Sequence, residues 1–203
     1  MSFLSGTATL THTTPIPAPV RKTAAVARLH DHEFFLRCDP HYTSHTALPS
    51  PPPPPDASSP AEQQQQLLPA DLEELAVVVV DGEKGEKGRV RVRAYEVVDH
   101  VPNPVWSSDV VSREELADLK TGLWVRLRSV LGVVMETRWL VEGEEGVEGE
   151  GERGLRLVQV VTLSCSRVLM PLVRAQVEGG WKGIHEKIVR RMVEDAKAEA
   201  EGK

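Results

Sequence analysis

The sequence predicts an α+β fold: a curved antiparallel β-sheet with one long C-terminal α-helix across its concave side. Three observations carry this. From Ser166 to Glu201, apolar residues recur at steps of three and four (Leu169, Leu172, Val173, Val177, Trp181, Ile184, Ile188 and Met192), which makes one helical stripe. Before it, Leu123–Leu131, Val133–Val141 and Leu155–Cys165 alternate in side-chain character residue by residue, as half-buried strands do. The order of strand, short helix, several strands and long helix segregates strands from the final helix, an α+β pattern.

Taken in order, Thr7–Thr14 is rich in β-branched residues and predicts a first strand, ended by Pro15-Ile16-Pro17. Val20, Ala24, Ala27 and Phe34 or Phe35 make a weak helical stripe over Val20–Arg37, with Pro19 suited to its first turn and Asp39-Pro40 as its stop. His41–Ala47 predicts a short strand. Pro49–Ala70 combines Pro51–Pro55 with Gln63–Gln66, has little apolar area to bury, and predicts an exposed insertion. Asp71–Leu75 predicts a helical turn. Ala76–Val80 and Arg89–Asp99, joined by the charged glycine-bearing turn Asp81–Gly88, predict a hairpin. Ser112-Arg113-Glu114-Glu115 resembles an N-cap followed by early acids, so Arg113–Asp118 predicts a helical turn or two. Gly132 predicts a bulge or tight bend rather than a full reversal. Glu142–Gly154 predicts a Gly/Glu loop.

The terminal helix has Ser166 as its expected N-cap and Pro171 near its fifth position, which predicts a later start or a bend. Its outer face carries Arg174, Glu178, Lys182, Glu186, Arg190 and Glu194, four apart and alternating in sign. Gly179, Gly180 and Gly183 each cost a helix interior roughly 1 kcal/mol relative to alanine. Close approach of the sheet is the expected reason, with space left for a cavity as the other.

Composition excludes several functions. The net charge is −6, with both signs spread along the chain, so no nucleic-acid surface is expected. No apolar run approaches the ~18 residues of a membrane span, and Met1–Gly6 lacks the features of a secretory signal. Cys38 and Cys165 read as buried thiols in a reducing compartment, and a cytoplasmic location is expected. No nucleotide-binding, serine-hydrolase or zinc-protease motif occurs, and no cofactor is expected. His30-Asp31-His32 has the wrong helical spacing for a shared metal, so no metal site is expected either.

Several segments together resemble a fungal family of START-like domains of unknown function, in the helix-grip, polyketide-cyclase/birch-allergen superfamily. They are the opening Met1–Ser5, Thr14-Pro15-Ile16-Pro17, Leu29–Glu33 with Asp39-Pro40, Tyr95–Val101, and Cys165–Val173 at the start of the last helix. The likeness spans most of the chain as one START-like domain over 1–203, interrupted by the insertion at 49–70 and the loop at 142–154. It implies a cavity between sheet and helix that accepts lipids, sterols, polyketides or similar apolar molecules.

On this reading the expected cavity lining is Trp124, Met135, Trp139, Val177, Trp181, Ile184 and His185, with no catalytic residue assigned. The principal expectation is binding or carriage of an apolar small molecule. One alternative is a cyclase- or isomerase-type enzyme with His185 as acid/base aided by Glu136 or Arg138, a reading that fails if those two point to solvent. The other is a scaffold with a filled core, its protein partner bound through the Pro/Gln insertion.

Overall fold

Alternating side chains in seven strands form one antiparallel sheet in the computed structural model, which describes residues 5–49, 69, 72, 75–79, 89–101, 108–129, 132–144 and 154–202. Its strands are β1 (Ser5–Pro15), β2 (Tyr42–Leu48), β5 (Val92–Val101), β6 (Ser108–Leu119), β7 (Gly122–Ser129), β8 (Val134–Glu142) and β9 (Arg156–Ser166). They lie in the order β1-β9-β8-β7-β6-β5-β2. From β5 to β9 the chain is a meander, each strand pairing with the one before it; β1 then pairs along its whole length with β9. A two-stranded ladder, β3 (Val78–Val79) and β4 (Arg89–Val90), stands apart.

Two short helices, α1 (Lys22–Leu29) and α2 (His32–Leu36), connect β1 to β2, at opposite edges of the sheet. The long helix α3 (Met170–Glu201) closes the chain. The inner face of the sheet carries Leu157, Val141, Trp139, Val125 and Leu123 into the main core, where Ile188 and Met192 of α3 and Ala25 and Leu29 of α1 meet them. Arg28 ties α1 to α3, its Nε donating to Asp195 Oδ2 at 2.7 Å.

Several expectations are corrected. The single helix over Val20–Arg37 is two helices, and α1 opens at Lys22, beyond Pro19. Asp31 separates them, because its side chain accepts from the Phe34 N–H and caps α2. Arg113–Asp118 is strand, not helix: pairing with β5 and β7 on both sides overrides the local N-cap pattern. Gly132 sits in a full reversal between β7 and β8, at φ 71°, a left-handed conformation that glycine adopts freely. The predicted hairpin survives only as the β3–β4 ladder, and Val92–Val101 joins the main sheet. The glycines of α3 are not places of close approach, since a Cβ on Gly179, Gly180 or Gly183 would meet nothing within 4 Å. Most of the Pro49–Ala70 insertion, the Asp71–Leu75 turn and the Glu142–Gly154 loop, the whole Asp81–Gly88 turn and Trp106 lie outside the described residues.

Candidate functional site

The inner face of the sheet is apolar along most strands but changes character toward β5 and β6. There, alternate positions place Val97 and Asp99 on β5 and Glu114 on β6. From the other side α2 brings Phe35 and Leu36, the following turn brings Asp39, and α3 brings Ile184. β7 and β8 supply Val125, Leu127, Met135, Thr137 and Trp139, and β9 supplies Gln159. These residues line a partly open cavity of roughly 90 Å³. Space for one water takes ~10–15 Å³ on this measure, so several waters or a compact organic group would fit. Gly180 lies one turn before Ile184, beside open space, and no side chain before His185 in α3 is buried.

The polar groups in this cavity are strained electrostatically. Burial, then the neighbouring carboxyls of Asp99 and Asp39, pushes Glu114 up to about 8. Burial and Asp39 push Asp99 up to about 6, opposed by His41. Asp99 Oδ1 is buried with no hydrogen-bond partner among the described residues. Asp39 is held in place by accepting from the His41 N–H at 2.7 Å.

Beside the cavity lies a packed imidazole–indole cluster. His185 is 1% exposed, with its ring 5.1 Å from both Trp139 and Trp181. Burial, then the nearby His12, lowers its pKa to about 4, so the ring is neutral at pH 7. Gln159 Oε1 accepts from His185 Nε2–H at 3.3 Å and from His12 Nδ1–H at 3.1 Å, which leaves His185 Nδ1 to accept from the Thr14 hydroxyl at 2.8 Å.

Of the expected lining residues, Met135, Trp139 and Ile184 line this cavity. His185 lies behind it, in contact with Trp139 and bonded to the cavity residue Gln159. Val177 packs with Leu10 and Val161 in a separate apolar cluster, and Trp181 stacks on His12 at 4.6 Å. Trp124 is on the other face of the sheet, buried with Leu72, Ala76, Ala117 and Leu119. The reason is phase: Trp124 alternates with Val125, and only Val125 points inward. Glu136 and Arg138 likewise alternate with Met135, Thr137 and Trp139, and Glu136 pairs with Arg126 at 2.8 Å. Neither can assist His185.

Three cavity residues, Asp39, Asp99 and Glu114, are not among the lining residues expected from the sequence. The expected helix over Arg113–Asp118 hides Glu114. Read as strand, Ser112, Glu114, Leu116 and Asp118 share one face, which marks a carboxyl in phase with core leucine. His30 and His32 serve the fold: His30 Nε2 lies 3.1 and 2.9 Å from the carbonyls of Leu119 and Gly122, and His32 Nε2 lies 2.8 Å from Asp118 Oδ1. Cys38 is no nucleophile, because burial pushes its thiol up to about 12 against the pull of Lys187.

An antiparallel sheet gripping a long C-terminal helix, with a cavity between, defines a helix-grip α+β protein. Residues 5–197 match the domain of unknown function DUF7053, and the chain belongs to that family. Among curated proteins none matches the chain. The fold is similar to that of the di-domain ARO/CYC StfQ from the steffimycin biosynthetic pathway (TM-score 0.56, 9% identity), over 94% of this chain and 52% of StfQ. The chain therefore spans about half the length of that protein. A weaker likeness, with TM-score 0.48 and 14% identity, is to the Thermus thermophilus protein TTHA0849, over 94% of this chain and 99% of that one. No helix among the described residues is long and apolar enough to cross a membrane.

Proposed function

We propose that this protein binds a small, largely apolar molecule in the cavity between its sheet and α3. The observation that carries this is a partly open, mainly apolar-walled space at the helix–sheet junction. The fold shared with the di-domain ARO/CYC StfQ supports a reading in which this junction receives a guest. The cavity is smaller than the ~300–1,000 Å³ of a drug-sized ligand site. A compact guest fits it directly. A larger one requires α3 to swing out between Met170 and Ile184, the stretch whose side chains are at most half-buried. An enzyme acting through His185 is disfavoured, because its ring is neutral, enclosed and committed to Thr14 and Gln159.

Native mass spectrometry of gently purified protein tests the reading. The expected result is a small adduct that leaves on denaturation and is lost in Ile184→Phe, which fills the cavity. A clean mass for both proteins, with no uptake of added apolar compounds, would remove the proposal in favour of a filled scaffold.

A further inference from the structure

The cavity walls are mainly apolar, yet every charged group among the described residues that lines it is a carboxyl: Asp39, Asp99 and Glu114. No lysine, arginine or histidine among the described residues lines it. Asp99 Oδ1 is buried without a donor among the described residues. Glu114, half-buried, lines the same space, with the carboxyls of Asp99 and Asp39 as its charged neighbours. A buried acceptor such as Asp99 Oδ1 calls for a donor from outside the chain, water or a guest.

We propose that the cavity selects a compact apolar molecule bearing a protonated amine, the ammonium held between Asp99 and Glu114 and the body lying against Trp139 and Phe35. This rests on the binding function proposed above and adds the charge of the guest. The two rings meet edge to face with centroids 5.4 Å apart, a wall suited to an aromatic or aliphatic body. The same carboxyls repel a fatty acid or a phosphate ester, so the site discriminates by repulsion as well as attraction.

Proton linkage follows. The other titratable groups around the site are Asp39 and His41 from the α2–β2 turn, Tyr42 on β2, Tyr95 on β5 and Lys187 on α3, whose Nζ donates to the Cys38 carbonyl. With Glu114 at about 8, the empty cavity holds its proton at neutral pH, and an arriving ammonium displaces it. Amine affinity therefore rises with pH between about 6 and about 8, and binding releases protons.

The test is calorimetry of the whole chain with 2-phenylethylamine, 2-phenylethanol and 3-phenylpropanoate, at pH near 6 and near 8, in two buffers of different ionisation enthalpy. The expected order at the higher pH is amine, then alcohol by about tenfold, then carboxylate. The double variant Asp99→Asn, Glu114→Gln should keep alcohol binding and lose the preference for the amine; retained alcohol binding also shows that the variant folds. If the alcohol binds as tightly as the amine, or the variant keeps the preference, the amine proposal is wrong and the binding cavity stands. If none of the three binds, both readings fall.

Discussion

At Gly122 the first residue of β7 runs against the carbonyl of Trp139, and a Cβ there would overlap that oxygen. The same residue's own carbonyl lies 2.9 Å from His30 Nε2. The close approach requires a residue without a side chain, while the anchor uses only the backbone carbonyl. Gly122→Ala should cost roughly 2–4 kcal/mol, since backbone must move where overpacking alone costs ~1–3 kcal/mol. A thermal unfolding midpoint within a degree or so of the parent would show that the strands do not meet so closely. His30 and His32 illustrate a general point at this scale. A pair that invites a metal reading is spent on two carbonyls and one carboxylate, fastening the α1–α2 junction to the β6–β7 turn.

Among elements, α3 behaves as two halves. His185, Ile188 and Met192 are its buried residues, none of them before the helix midpoint, whereas Leu172 is 51% exposed and Val168, just before the helix, is 86% exposed. Ile188→Ala and Met192→Ala should each cost about 2–5 kcal/mol, and Leu172→Ala within about 0.5 kcal/mol of nothing. Urea unfolding of the three variants checks this; equal losses would mean that the helix grips along its whole length. Gly180→Ala should raise stability by roughly 0.5–1 kcal/mol, because the methyl meets no neighbour and alanine favours helix. A loss of stability there would show that sheet and helix close on that position.

Across the molecule, two sets of buried groups give stability opposite dependences on pH. Glu114 and Asp99 have folded-state pKa values raised from 4.5 and 3.8 to about 8 and about 6. They bind more protons folded than unfolded, so their contribution is complete below the unfolded values and is lost as pH rises through the folded ones. His185 is lowered from 6.5 to about 4, so its contribution is complete above 6.5 and is lost as pH falls through about 4. Glu114→Gln should therefore stabilise by roughly 1–3 kcal/mol at about pH 8 and change little near pH 4, after allowance for cavity water. Chemical denaturation at the two pH values checks it, and an equal response at both would remove the buried-acid account.

Sequence alone determined what depends on local periodicity. The stripe Val173, Val177, Trp181, Ile184, Ile188 makes α3 a helix with one inward face, and the alternations in β7, β8 and β9 make those segments strands. It determined the α+β order for the same reason. Three of the seven expected lining residues, Met135, Trp139 and Ile184, reach the cavity because their phase within an element already pointed inward. Tertiary structure decided the rest. β7 offers indole on one face and valine and leucine on the other, both suited to burial, and only packing with Leu72, Ala76, Ala117 and Leu119 sends Trp124 outward. Ser112–Asp118 has local helix-start chemistry, and only ladders to β5 and β7 make it a strand that turns Glu114 inward. The carboxyls at 39, 99 and 114 come together from a turn and two strands far apart in the chain. No spacing in the sequence encodes that meeting, because long-range contact is set by the sheet's pairing and not by the segments that take part in it.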